Sequence, residues 1–143
     1  MKRFALLLTV LCLLFVPLLS ACDRAAPAPQ AEPGTSLLTF ERTGGIAGFQ
    51  DRLVIGSAGE YYLRQAAAER IGSLSVERSS QLRDWSARLA AFTLRLEDNP
   101  GGPDNMVRQV MWTGPGKATA TQAEQQEILK WASDLLAELS AGK

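Results

Sequence analysis

Histidine is absent from this 143-residue chain, and its two cysteines, Cys12 and Cys22, both fall within the first 22 positions. From residue 23 onward there is neither imidazole nor thiol. That removes disulfides, thiolate nucleophiles, histidine-assisted triads and Cys/His metal centres from the chemistry open to the body of the chain. Carboxylates and hydroxyls are the reactive groups left, and no cofactor is expected. An excess of one charge sign is also missing, since 15 basic residues face 15 acidic ones. Such a balance lacks the electrostatic footprint of a nucleic-acid binder, and no nucleic-acid partner is expected.

The one long apolar run stands at the start. Lys2 and Arg3 precede apolar residues 4–19, and the run closes on Leu19-Ser20-Ala21-Cys22. Two cations hold the start of such a segment on the cytoplasmic side while the apolar part enters the membrane. A transmembrane anchor competes with this reading, because about 16 apolar residues lie just below the usual span of ~20. A span has no need of Pro17, small residues and a cysteine at its outer end, whereas a lipoprotein signal requires the small residues and cysteine in this order. Residues 19–22 resemble the bacterial lipobox, whose cysteine thiol takes a diacylglycerol and whose freed amine is then acylated. The resemblance implies a signal peptide over 1–21, cleavage between Ala21 and Cys22, and a lipid bilayer as partner through acylated Cys22. The domain would then sit on the extracytoplasmic side of a bacterial cell membrane. Asp23 resembles the inner-membrane retention signal of enteric bacteria, a rule that other bacteria do not share, so inner and outer membrane both stay open. With Lys2 and Arg3 removed from the 15 basic residues, the mature chain carries a formal charge of −2.

Residues 22–36 combine the lipidated cysteine with an Ala/Pro-rich stretch that has nothing to build a core from. Alternating Ala and Pro favour extended polyproline-like backbone, so this tether holds a domain on the order of 40 Å from the bilayer. Residues 37–143 are the size of one small domain. Within it, residues 37–42 alternate as a half-buried strand, with Leu38 and Phe40 on one face and Thr39 and Glu41 on the other. Glycines at 44, 45 and 48 break the pattern, and residues 49–55 resume it through Asp51, Leu53 and Ile55, which makes a hairpin. Ser57-Ala58-Gly59 turns the chain again, and residues 60–65 read as a third strand with Tyr61 and Leu63 on one face.

The period then changes. Ser75 is an N-cap with Glu77 in the first turn, and Leu82, Trp85, Leu89 and Phe92 form the apolar stripe of a helix over about 76–92. A second helix over about 123–139 carries Ile128, Trp131, Ala132, Leu135 and Leu139. Residues 97–105 form an exposed loop rich in Pro, Gly, Asp and Asn. Residues 106–112 alternate as a strand with apolar residues on both faces, which suggests an interior position, and a short strand follows at 117–121 after Gly114-Pro115-Gly116. The expected fold is α+β: an antiparallel sheet of about five strands in βββ-α-ββ-α order, with two amphipathic helices packed on one face.

The ordered set Phe40-Glu41-Arg42-Thr43-Gly44-Gly45-Ile46-Ala47-Gly48-Phe49, the strand after it, the helix after Leu74-Ser75 and the C-terminal amphipathic helix resemble the emfourin family. Those proteins are small inhibitors of thermolysin-like zinc metalloproteases. The resemblance covers nearly all of residues 37–139 in element order. It implies a loop that occludes a protease cleft, with Arg42, Gly44, Gly45, Ile46, Gly48 and Phe49 as candidate partner-binding residues; Asp98 and Asp104, in a loop where this chain departs from the family, are further candidates on their residue type and exposure. Ile46 and Phe49 would be apolar anchors for the primed-side pocket, while the glycines let backbone approach an enzyme surface or simply meet the geometry of a turn. Without His or Cys, contact to the catalytic zinc would fall to a carbonyl or to a carboxylate such as Asp51, Asp98 or Asp104.

Two other classes of function compete. Glu97 with Asp98, or Glu41 with Asp51, is a carboxylate pair of the kind glycoside cleavage requires, but a domain this small has little room for a deep cleft, and no enzyme is expected. A cell-envelope interaction module without inhibitory activity, presenting residues 98–105 or the free face of the sheet, is the stronger alternative.

Overall fold

The computed structural model describes residues 34–142. Its elements are β1 (Ser36–Gly44), β2 (Phe49–Gly56), β3 (Glu60–Gln65), β4 (Ala68–Ser73), α1 (Val76–Arg88), β5 (Phe92–Glu97), β6 (Met106–Trp112) and α2 (Gln122–Ser140). All neighbouring strands pair antiparallel in one six-stranded sheet of order β4-β3-β2-β1-β6-β5. The α+β class, the antiparallel sheet and the two helices agree with the sequence, and β6 is interior as its two apolar faces require. The strand count does not. Residues 68–73 and 92–97 are strands, residues 117–121 are not, and the order is ββββ-α-ββ-α. Among the described residues no helix is long and apolar enough to cross a membrane.

The register stacks the core in rows across the strands. Phe92, Trp112, Leu38, Ile55 and Tyr61 make one row, and Leu94, Val110, Phe40, Leu53 and Leu63 the next. Leu38, Phe40, Leu53, Ile55 and Val110 are fully buried, each contributing about 1.5–3 kcal/mol through loss of apolar surface to water. Leu82, Trp85 and Leu89 of the α1 segment and Ile128, Trp131, Ala132, Leu135 and Leu136 of α2 cover these rows. Trp85 sits edge-on to Trp112 at 6.5 Å and to Trp131 at 5.4 Å between ring centroids, which joins sheet and both helices. Ion pairs Arg88–Glu124 (3.1 Å) and Arg78–Glu138 (3.0 Å) tie opposite ends of the helices, so α1 and α2 run antiparallel.

The apolar stripe of α1 continues in spacing to Phe92, yet the helix ends at Arg88. Tertiary hydrogen bonds decide this. The Ala118 N–H donates to the Arg88 carbonyl (2.9 Å), the Ala90 N–H donates to the Ala118 carbonyl (2.8 Å), and Leu89 is already extended. A Cβ on Gly116 would overlap the Arg88–Leu89 backbone, so the Gly114-Pro115-Gly116 segment lies directly against the helix end. Residues 117–121 therefore spend backbone groups on the end of α1 rather than on a strand. Downstream, Thr121 and Glu124 form a reciprocal capping box that starts α2.

A third row on the helix-covered face turns polar: Leu96, Arg108, Arg42, Asp51 and Gln65. It marks the end of the sheet where three hairpins turn.

Candidate functional site

Sheet order places the β1–β2 loop, the β3–β4 turn and the β5–β6 loop at one end, with the β1–β2 loop in the middle. Adjacent hairpins are two strands apart, so their tips form a ridge about 20 Å long. The chain enters β1 at the opposite end, at Ser36.

The central loop owes its shape to three glycines with positive φ: Gly44 (89°), Gly45 (70°) and Gly48 (63°). At Gly44 this freedom also admits a close approach, because an added Cβ would overlap the Asn105 carbonyl oxygen. The Gly45 N–H donates to that same carbonyl (2.9 Å), and the Gly48 N–H donates to the Gly45 carbonyl (2.9 Å). The β1–β2 and β5–β6 loops are thus stapled together, which follows from the pairing of Gly44 with Met106. At the tip, Ile46 is 90% exposed, the most exposed large apolar side chain among the described residues. Exposure of an isolated apolar side chain is ordinary, but this one crowns a loop whose backbone is fixed.

Arg42 and Phe49, expected beside it as contact residues, turn to the helix-covered face. The Arg42 guanidinium lies 4.1 Å from the Phe49 ring centroid and donates through Nε (2.8 Å) and Nη2 (2.5 Å) to one oxygen of Asp51. Asp51 is 5% exposed, and the Gln65 amide lies 3.4 Å from its other oxygen. The Ser140 hydroxyl at the end of α2, shared between the Leu136 carbonyl (2.6 Å) and the Gln65 side-chain carbonyl (3.0 Å), extends this polar chain to the helix. A buried carboxylate held by an arginine has its lone pairs occupied and is not presented to a partner's metal.

Asp98 and Asp104 sit in the neighbouring loop. Arg108 donates to Asp98 (2.5 Å), the Asn99 amide donates to Asp104, and the Asn105 amide donates to Glu97 (3.3 Å). Hydrogen bonds from Arg95 and then from Asn105 hold the Glu97 carboxyl below its usual range, whereas a general acid needs a raised value. Glu41 and Asp51 lie on opposite faces of the sheet, so the carboxylate pair that glycoside cleavage would require does not converge there. Among the described residues no three acidic side chains assemble as a metal site. On the face away from the helices, a shallow groove of about 360 Å³ runs beside the loop between Glu41, Thr43, Gln50, Arg52 and Arg64.

No protein-family model, curated protein or solved structure matches the chain. The reading of the site therefore rests on its geometry. Of the sequence-derived candidates, Gly44, Gly45, Ile46 and Gly48 form the loop, Asp98 and Asp104 flank it, and Arg42 and Phe49 lie beneath it. Ala21 and Cys22 fall outside the described residues. Asn105, Gln65 and Ser140 were missed. Asn105 carried only a loop signal, because its partner Gly45 is 60 positions away and becomes a neighbour only through strand order.

Proposed function

We propose that this chain is a membrane-anchored bacterial lipoprotein, held through acylated Cys22, whose loop end occludes the active-site cleft of a thermolysin-like zinc metalloprotease. The observation that carries the reading is the stapled loop pair with exposed Ile46 at its tip. A cleft-binding loop resists turnover and binds tightly when its backbone is already in the bound shape, since little ordering entropy is then lost on association. Ile46 suits an apolar pocket, and a ridge about 20 Å long and one sheet thick suits a cleft rather than a flat surface. Chain direction agrees with a tethered protein. Residue 36 and the loops lie at opposite ends of β1, about 30 Å apart, so the loops point away from the attachment point.

The test is a titration of a thermolysin-like protease with the full-length chain in mild detergent, following peptide cleavage over time. Saturating inhibition near one-to-one is expected. Ile46→Glu is expected to weaken inhibition by about tenfold or more while shifting stability by no more than about 0.5 kcal/mol. Unchanged cleavage at high molar excess overturns the proposal and assigns the chain to non-inhibitory binding in the envelope.

A further inference from the structure

We infer that Arg42 is a positioning residue, which fixes the β1–β2 loop from beneath and does not itself touch the partner; this rests on the loop's being the binding element. Arg42 precedes the loop by two residues and Phe49 closes it, so both flanks bear on one guanidinium. The guanidinium covers the Phe49 ring at 4.1 Å while both of its nitrogen contacts go to buried Asp51. Asp51 in turn meets Gln65, and Gln65 meets Ser140 of α2. The planar fork of arginine satisfies both demands at once, since its edge pairs with a carboxylate while its face lies on an aromatic ring. Lysine keeps the charge beside Asp51 but has no plane to lay on Phe49. The geometry therefore sets the loop by a linked chain from the helix end to the binding edge, independent of any atom Arg42 presents outward. A loop released from this support would populate its binding shape only part of the time. Apparent affinity then falls by that fraction, through slower productive association, while the complex once formed dissociates as before.

The experiment compares the full-length wild type with Arg42→Lys, and with Arg42→Met/Asp51→Leu as the variant that removes both charges together. Amide exchange is read at Gly45 and Gly48, with Leu53 and Ile55 as core references, and association and dissociation rates are measured with a thermolysin-like protease. Expected for Arg42→Lys is exchange about tenfold faster at Gly45 and Gly48 with core amides unchanged, together with about tenfold slower association and an unaltered dissociation rate. Unchanged loop exchange overturns the inference, whatever the inhibition. Faster dissociation at constant association also overturns it, because that identifies Arg42 as a direct contact. Loop amides that loosen in a protein whose wild type leaves the protease fully active uphold the positioning role, and then it is the inhibitory reading that falls.

Discussion

Gly44 and Gly48 hold the same kind of backbone angle for different reasons, and substitution separates them. Both have positive φ, which costs an L-residue about 1–2 kcal/mol. Only at Gly44 would a new Cβ also meet the Asn105 carbonyl, whereas at Gly48 it meets open space. Gly48→Ala is expected to cost about 1 kcal/mol and Gly44→Ala about 3 kcal/mol, the difference being the overlap. Urea unfolding midpoints at constant slope measure both, and equal costs would show that the two loops are not stapled. The Gly-Gly-Ile-Ala-Gly run announced a turn from its residue types alone. It could not announce Asn105, since a close approach depends on what lies opposite. The same limit holds for Arg42: alternation shows which face it occupies but not that Asp51 and Phe49 lie there.

Among the elements, β4 and the two helix ends carry the lesson. β4 was invisible in the sequence because Gln65-Ala66-Ala67-Ala68 contains no residue that favours a tight turn and the strand offers only Ile71 as a large apolar side chain. Pairing with β3 makes it a strand, and the turn is closed with Ala66 at φ 50°. Ala66→Gly relieves about 1–2 kcal/mol of left-handed strain and gives back part of it as chain entropy, so a net gain of up to about 1 kcal/mol is expected in thermal unfolding. At the start of α2, hydrogen bonds from the Thr121 backbone and then its hydroxyl, with a further one from Arg88, hold Glu124 below its ordinary value. A depressed folded-state pKa means the cap's contribution is whole above the unfolded value of about 4.3 and is lost as pH falls through the folded one. Glu124→Gln is therefore expected to lower the melting temperature near neutrality. Its deficit against wild type should shrink as pH drops from about 5 to about 3. A deficit independent of pH would show that the carboxylate does not cap the helix.

At the scale of the whole molecule, one core joins every layer. Trp85 bridges Trp112 of the sheet and Trp131 of α2, and Phe92 stacks on Trp112 at 6.4 Å, so the indoles report on both helices and the sheet together. Tryptophan fluorescence and far-ultraviolet circular dichroism are expected to give coincident unfolding curves, and Trp131→Ala to lower stability by about 3–5 kcal/mol in both. Separated midpoints would mean that the helical layer unfolds apart from the sheet. The β1–β2, β3–β4 and β5–β6 hairpins turn at the end opposite the chain's entry, and the β2–β3 hairpin turns at the entry end, because each strand reverses its neighbour. The β1–β4 meander places the first two, and the antiparallel pairing of β6 with β1 places the third.

Periodicity and turn-residue types by themselves determined most of β1, β2, β3 and β6, the buried stripe of α2 and that of α1 up to its end, the α+β class and the glycine loop that heads the candidate site. Each of those is a local property: which face of a segment is apolar, and where the backbone must turn. Tertiary structure decided where α1 stops, since Ala118 supplies the bond that a further helical turn would have made. It decided that residues 68–73 form a strand, since a neighbour's backbone groups supply the bonds. It also joined Gly45 to Asn105 and turned Arg42 inward. Sequence patterns record how a residue relates to its own element, whereas these features depend on which element lies alongside, and strand order is set by the packing of the chain as a whole.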